Sequence, residues 1–408
     1  MSGANSAEHC LDCGAEIPAG GRDCPVCAAR DAAGPSRQTA VLLSLLLLSV
    51  LFVVTGFAAR AFHRHEELLA EEWLHRGEEA LAAGHTSPAI DALRNSLVYA
   101  KGNPQAQLRL AQTLAVAGRD EEARTYLRTL WEREPGNAAV NLELARLAAR
   151  HGDVAEAIRY YQGSIYGVWD SDVLERRRQT RVELVHYLSG RGLKQQAVAE
   201  IIALAASLPP DPALETMAGN LFFEQGVYNR ALAEFQEALR LDPRNGLALA
   251  GAGRASFELG GFVDAQRYLH QVVHVAPHDE EAANLLALSS SVVSLDPYAR
   301  GLSADARAQR VLRALTLAQQ RLASCSAARS AVPETDIAAL AQRVAAAKPR
   351  ATLSALRRDM DLFDSTAALA FDVAAHSAQV CGPGSLDDQA LALIARTRAN
   401  SRATGVAP

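Results

Sequence analysis

Four of the six cysteines in this 408-residue chain lie in its first 27 residues, as Cys10-x2-Cys13 and Cys24-x2-Cys27 with ten residues between the pairs. A Cys-x2-Cys knuckle aims two sulfurs at one point. Two knuckles therefore offer four converging thiolates, a donor set that suits tetrahedral zinc. With four protein ligands such a site is closed, and its role is structural rather than catalytic. A redox reading needs one Cys-x2-Cys inside a βαβ pattern, which is missing here, and haem attachment needs His after the second Cys, where this chain has Gly14 and Ala28. Disulfides would require an oxidising compartment.

The stretch from Cys10 to Cys27 resembles a short bacterial zinc ribbon, through Cys-x-x-Cys-Gly, Ile17-Pro18 and Cys-Pro-x-Cys. It departs from that pattern at Ala28, where such ribbons often carry Gly. The resemblance implies structural Zn2+ held by Cys10, Cys13, Cys24 and Cys27. Metal binding would supply the folding energy of so small a module. Zinc thiolates also favour a reducing compartment, which puts the N-terminus in the cytoplasm.

Other reactive groups make no comparable constellation. His270, His274 and His278 recur at four-residue spacing, but His278 follows Pro277 and falls past the expected helix end, so the three read as solvated or packing residues. Cys325 and Cys381 are read either as two buried thiols or, if this region lies outside the cytoplasm, as a disulfide. Such a bond would close a loop of about 55 residues, worth roughly 4 kcal/mol in the chain-entropy model. The sequence shows no phosphate loop, nucleophile elbow or paired-His metalloprotease motif, so the chain is read as non-enzymatic.

The elements that must position these groups begin with an anchor. Residues 38–59 carry no charge and are bracketed by Arg37 and Arg60. As a helix they span roughly 33 Å, enough to cross a hydrocarbon core. A cleaved signal peptide would have a shorter apolar core nearer the N-terminus. Flanking charge is nearly balanced: Arg22, Arg30 and Arg37 before the span, Arg60, Arg64 and Arg76 after it. The cysteine chemistry therefore decides orientation, and residues 61–408 are placed across the membrane, in the periplasm.

Beyond the anchor the sequence repeats. Gly, Ala five residues on and an apolar residue four further recur at Gly84/Ala89/Leu93, Gly118/Ala123/Leu127 and Gly152/Ala157/Tyr161. They return at Gly192/Ala197/Ile201, Gly226/Ala231/Phe235 and Gly260/Ala265/Leu269. The glycines keep one constant spacing, broken only by six extra positions between Gly152 and Gly192, and Pro135, Pro209, Pro243 and Pro277 each stand at one fixed distance after a glycine. The period is that of the tetratricopeptide repeat, about 34 residues. The whole pattern resembles that repeat, a helical hairpin whose turn takes the Gly and whose second helix the Pro closes. Units fall at 70–103, 104–137, 138–171, 178–211, 212–245 and 246–279, with a capping helix at 280–295. The extra positions near Trp169 are read as a long second helix or a bulged loop in the third unit.

The expected fold is all-α: a right-handed tetratricopeptide superhelix (70–279), a C-terminal helical region (296–408), a transmembrane helix (38–59), a linker (31–37) and a zinc ribbon (1–30). In the C-terminal region amphipathic helices are expected at 303–329, 335–347, 350–379 and 386–399, either packed on the solenoid or standing apart. The resemblance implies a groove that holds a protein or peptide partner. By register its positions are Arg146, Arg150, His186, Asn220, Phe223, Glu224, Arg254, Phe257 and Glu258. The chain then reads as a single-pass inner-membrane scaffold, with transmembrane signalling through the zinc ribbon as the alternative. Residues 1–37 carry five acidic and three basic side chains, and the net charge is −5. Both argue against nucleic acid as a partner.

Overall fold

The computed structural model describes residues 8–33, 37–328 and 335–404. The chain forms two compact units, residues 1–169 and 170–408.

In the first unit a two-stranded antiparallel ribbon, β1 (Glu8–His9) with β2 (Glu16–Ile17), precedes α1 (Pro25–Ala33). Then comes α2 (Arg37–Ala82), one unbroken helix of 46 residues. The apolar stretch and the first helix of the first repeat are therefore a single rod with no hinge between them. From 39 to 59 its side chains are exposed almost throughout, and burial begins at Ala70, whose carbonyl accepts from the Ser96 hydroxyl at 2.7 Å. It is the one helix among the described residues long and apolar enough to cross a membrane.

Three hairpins complete this unit. They pair α2 with α3 (Thr86–Tyr99), α4 (Pro104–Val116) with α5 (Asp120–Arg133), and α6 (Ala138–His151) with α7 (Val154–Tyr166). Leu93, Leu110, Leu114, Leu127 and Leu147 are fully buried between them. The loop after α7 folds back on the start of α6: Val168 N donates to the Gly136 carbonyl at 2.9 Å, and Ala138 N to the Val168 carbonyl at 3.0 Å. Trp169 is buried there, its indole N–H on the Ser164 carbonyl.

The second unit continues the hairpins with α8 (Val173–Gly190) and α9 (Lys194–Ala205), α10 (Pro212–Glu224) and α11 (Tyr228–Leu241), and α12 (Gly246–Glu258) and α13 (Phe262–Val275). Next come α14 (Glu280–Leu295), α15 (Ala304–Ala328), α16 (Thr335–Ala347), α17 (Leu353–Arg358), α18 (Met360–Cys381) and α19 (Leu386–Thr404). The C-terminal helices do not stand apart. Ala282 of α14 is packed in the core of the last repeat, while Val292 and Leu295 of the same helix join the core of α15 to α19.

The six repeat glycines all close their turns with φ between +68° and +80°, the left-handed region that a side chain disfavours. Helices α4, α6, α10, α12 and α14 start on periodic caps, Asn103, Asn137, Asp211, Asn245 and Asp279, each accepting a backbone N–H. The matching place in the fourth hairpin is Arg177, which cannot cap. There the helix starts early, after Asp172, and α8 runs for 18 residues. The extra positions thus mostly lengthen the first helix of the fourth hairpin; α7 keeps an ordinary 13, so of the two readings the long second helix is not found, while the loop after α7 does fold out of the regular pattern. A similar cap divides the helix expected over 350–379: the Asp359 carboxylate accepts from Leu362 N and ends α17 before α18 begins.

Candidate functional site

The N-terminal thiols converge. All four sulfurs of Cys10, Cys13, Cys24 and Cys27 lie within 4.8 Å of one another, with Cys10 to Cys27 at 3.8 Å and Cys13 to Cys24 at 3.4 Å. Sulfurs about 2.3 Å from a zinc at the centre of a tetrahedron are about 3.8 Å apart, so the donor set fits that ion. Each knuckle is closed by the amide after its second cysteine: Gly14 N on the Cys10 carbonyl and Ala28 N on the Cys24 carbonyl, both at 2.9 Å. The first needs glycine, since Gly14 has φ +75°. The second runs straight into α1, so Ala28 is helical and its methyl costs nothing. Amides of Asp12 and Cys13 facing the Cys10 sulfur pull its pKa down to about 7, while neighbouring thiols, Cys13 and Cys10 first, push Cys27 up. Four thiols this close cannot all ionise without a cation between them.

On the first unit's hairpins the polar side chains of the first helices form a ladder. Arg109 of α4 donates to Glu78 of α2 at 3.1 Å and to Gln112 at 3.3 Å. Gln112 donates to Glu143 of α6 at 3.1 Å, and Arg146 meets the same carboxylate at 3.1 Å. Arg150 grips Asp120 through two nitrogens, at 2.9 and 3.3 Å, and holds that carboxyl below its usual range. Of the expected groove residues, Arg146 and Arg150 are thus committed within the protein. Glu78, Arg109, Gln112 and Glu143 were not singled out from the sequence. Their signal is a spacing one helical step short of a full repeat, which places complementary side chains on adjacent first helices.

The second unit differs at the same register. Here the same spacing joins Phe223 of α10 to Arg254 of α12, whose guanidinium carbon lies 5.2 Å from the ring centroid, a cation–π contact. Phe223 also packs on Tyr228 and Phe257 on Phe262, with centroids 5.2 and 5.4 Å apart. Arg254 reaches Glu281 at 4.0 Å. Asn220, Phe223, Arg254 and Phe257 are half-buried, and His186, Glu224 and Glu258 are exposed. His270 and His274 are exposed neighbours on α13 with ring centroids 4.9 Å apart, and His278 lies beyond the helix end.

The family model of the tetratricopeptide repeat matches residues 80–135, 121–163 and 222–288. Over those residues the helical hairpins are tetratricopeptide repeats. Cellulose synthase operon protein C of Komagataeibacter xylinus is 27% identical over 277 residues, which are 63% of this chain; the chain spans about a fifth (21%) of that relative's length. Among solved structures, pilF of Pseudomonas aeruginosa is 16% identical at a TM-score of 0.38, covering 55% of this chain and 99% of that one. The type IV pilus biogenesis factor PilW is 17% identical at 0.37, covering 53% and 98%. YrrB, a tetratricopeptide protein described as having an unusual peptide-binding site, is 16% identical at 0.35, covering 48% and 97%.

At the far end of the second unit the two remaining cysteines are brought together. The Cα atoms of Cys325 on α15 and Cys381 at the end of α18 are 5.8 Å apart, within the usual disulfide range.

Proposed function

We propose that the protein is a non-enzymatic, membrane-tethered scaffold whose tetratricopeptide solenoid captures a protein or peptide partner on the periplasmic side of the inner membrane. The observation that carries this reading is the contrast between the repeats. The polar groups of the first three are spent on each other, whereas the fifth and sixth offer aromatic rings and an arginine that are only partly covered. Half-covered aromatics and arginines are the residue types that dominate binding energy in interfaces. The partner therefore docks on Asn220, Phe223, Glu224, Arg254, Phe257 and Glu258, with His186 beside them in the fourth repeat.

The rest of the chain holds this surface in place. Residues 38–59 span the bilayer, and because α2 is one rod, the anchor passes directly into the first repeat. Zinc on the four N-terminal cysteines forms a structural clip in the cytoplasm, and a Cys325–Cys381 disulfide staples α15 to α18 on the oxidising side. The name of the curated relative makes a component of a polysaccharide-synthesising system the class of partner to test first.

The test is capture from solubilised membranes by the full-length protein. Arg254→Glu with Phe223→Ala should lose the partner while circular dichroism shows the helices kept, and Arg150→Ala should retain it. Retention by the Arg254/Phe223 variant would contradict the assignment.

A further inference from the structure

The second unit holds a cavity of about 820 Å3 where α18 and α19 meet the last repeat. This is within the range of sites that enclose small ligands. Phe257 and Leu288, which repeat the inter-helix spacing of Phe223 and Arg254, form one side, and Phe371 with Tyr298 another. Between them lies a slot bordered by small side chains: Ala368, Ala375 and Ala378 on α18, and Ala392, Ala395 and Ala399 on α19. These methyl groups, with Leu288 and Phe371, give a ligand an apolar wall suited to a hydrocarbon chain.

The charged groups around the slot are unequally committed. Of the two aspartates, Asp372 is paired with Arg343 at 3.6 Å, and Asp388 accepts the amide and hydroxyl of Ser385, each at 2.8 Å. Three arginines line the same space. Arg321 donates to the carbonyls of Ser377 and Gly382, fixing the turn that forms one wall. Arg398 lies over the Tyr298 ring, 3.4 Å from its centroid. Arg396 is exposed and has no partner among the described residues. The lining holds three arginines against two aspartates, and among the described residues the Arg396 guanidinium is left to receive an anion.

We propose that this cavity is a binding site for an amphipathic carboxylate, an unbranched hydrocarbon chain ending in one negative group. The chain lies in the alanine slot against Phe371 and Leu288, and the carboxylate meets Arg396. The site is separate from the partner surface, with which it shares only Phe257.

Photolabelling of the full-length protein in nanodiscs of neutral lipid tests this, with decanoate carrying a terminal diazirine as the probe. Crosslinks located by mass spectrometry should fall on α18 and α19. Unlabelled decanoate should compete, and decylamine should compete at least tenfold less well. Arg396→Glu, at an exposed position, should weaken labelling of these helices about tenfold. Ala378→Trp should remove it by filling the slot, with circular dichroism checking that the helices persist. Arg254→Glu should leave labelling unchanged, which separates this site from the partner surface. Crosslinks confined to α2, equal competition by decylamine, or parental labelling of Arg396→Glu would overturn the proposal.

Discussion

A Cβ atom on Gly219 would lie 2.6 Å from Cε1 of Phe235. The ring is pressed from the other side by Gly251, where a Cβ would come closer still to the same atom. Phe235 is fully buried and so wedges between the first helix of its own hairpin and that of the next, filling a gap that only two glycines leave open.

Adding a methyl group at that contact must displace a ring with nowhere to go. Gly219→Ala is expected to destabilise the solenoid by about 1–3 kcal/mol, the usual range for overpacking. A smaller side chain at Phe235 in the same protein, Phe235→Leu, should recover part of the loss, because the two changes share one space. Denaturant titration of the two single variants and the double variant measures this. Additive losses would contradict the wedge.

The recurrent turn geometry was plain in the sequence because a left-handed turn residue has few substitutes for glycine, and six such residues kept the period of the repeat. The unbroken α2 was not, since no residue marks the junction between an apolar span and an amphipathic helix when neither is capped. The long α8 escaped notice because the informative signal was an absence, Arg177 standing where Asn or Asp caps α4, α6, α10 and α12. The commitment of Arg150 was hidden for a different reason: its partner Asp120 lies 30 residues away and is an ordinary surface carboxylate until the repeats are stacked, whereas Glu143, three residues before Arg146 on the same helix, was within reach of a sequence reading.

Glu215, in the first turn of α10, is 8% exposed. Burial first, and the neighbouring Glu234 second, raise its carboxyl pKa to about 7, with Glu237 adding to the rise and Arg240 opposing it. A carboxyl whose folded pKa exceeds its unfolded value contributes stability while protonated. That contribution is complete below the unfolded value near 4.5 and is lost as pH rises through about 7. Glu215→Gln should therefore stabilise the protein at pH 8 by up to about 3 kcal/mol and have little effect at pH 4.5. Thermal melts across this range check it. A variant effect independent of pH would contradict the assignment.

Removing zinc should affect the N-terminal module and little else, because the solenoid has its own core. The full-length protein is expected to carry one zinc per chain, and Cys13→Ser or Cys24→Ser should abolish it. Chelation should make residues 8–33 protease-sensitive while the repeats keep their melting temperature. Elemental analysis with limited proteolysis reads both. A loss of repeat stability on chelation would show that the clip is coupled to the solenoid.

The Asp120–Arg150 pair is bidentate but sits at the surface, with the Arg150 side chain 45% exposed. Asp120→Ala should cost no more than about 1 kcal/mol. The loss should shrink when Arg150→Ala is added, and salt should weaken the coupling. A double-mutant cycle at two ionic strengths gives the value. A coupling unchanged by salt would contradict a solvent-screened pair.

The central claim is that the anchor separates two kinds of cysteine chemistry, a reduced zinc clip inside and a disulfide-stapled scaffold outside. It is tested most directly by thiol labelling in intact cells with a membrane-impermeant maleimide, before and after mild reduction. The account predicts that Cys325 and Cys381 become labelled only after reduction while the inner membrane is intact. Cys10, Cys13, Cys24 and Cys27 should become labelled only once that membrane is opened and the metal removed. Labelling of the N-terminal cysteines in intact cells, or of Cys325 and Cys381 only after the inner membrane is opened, would contradict it.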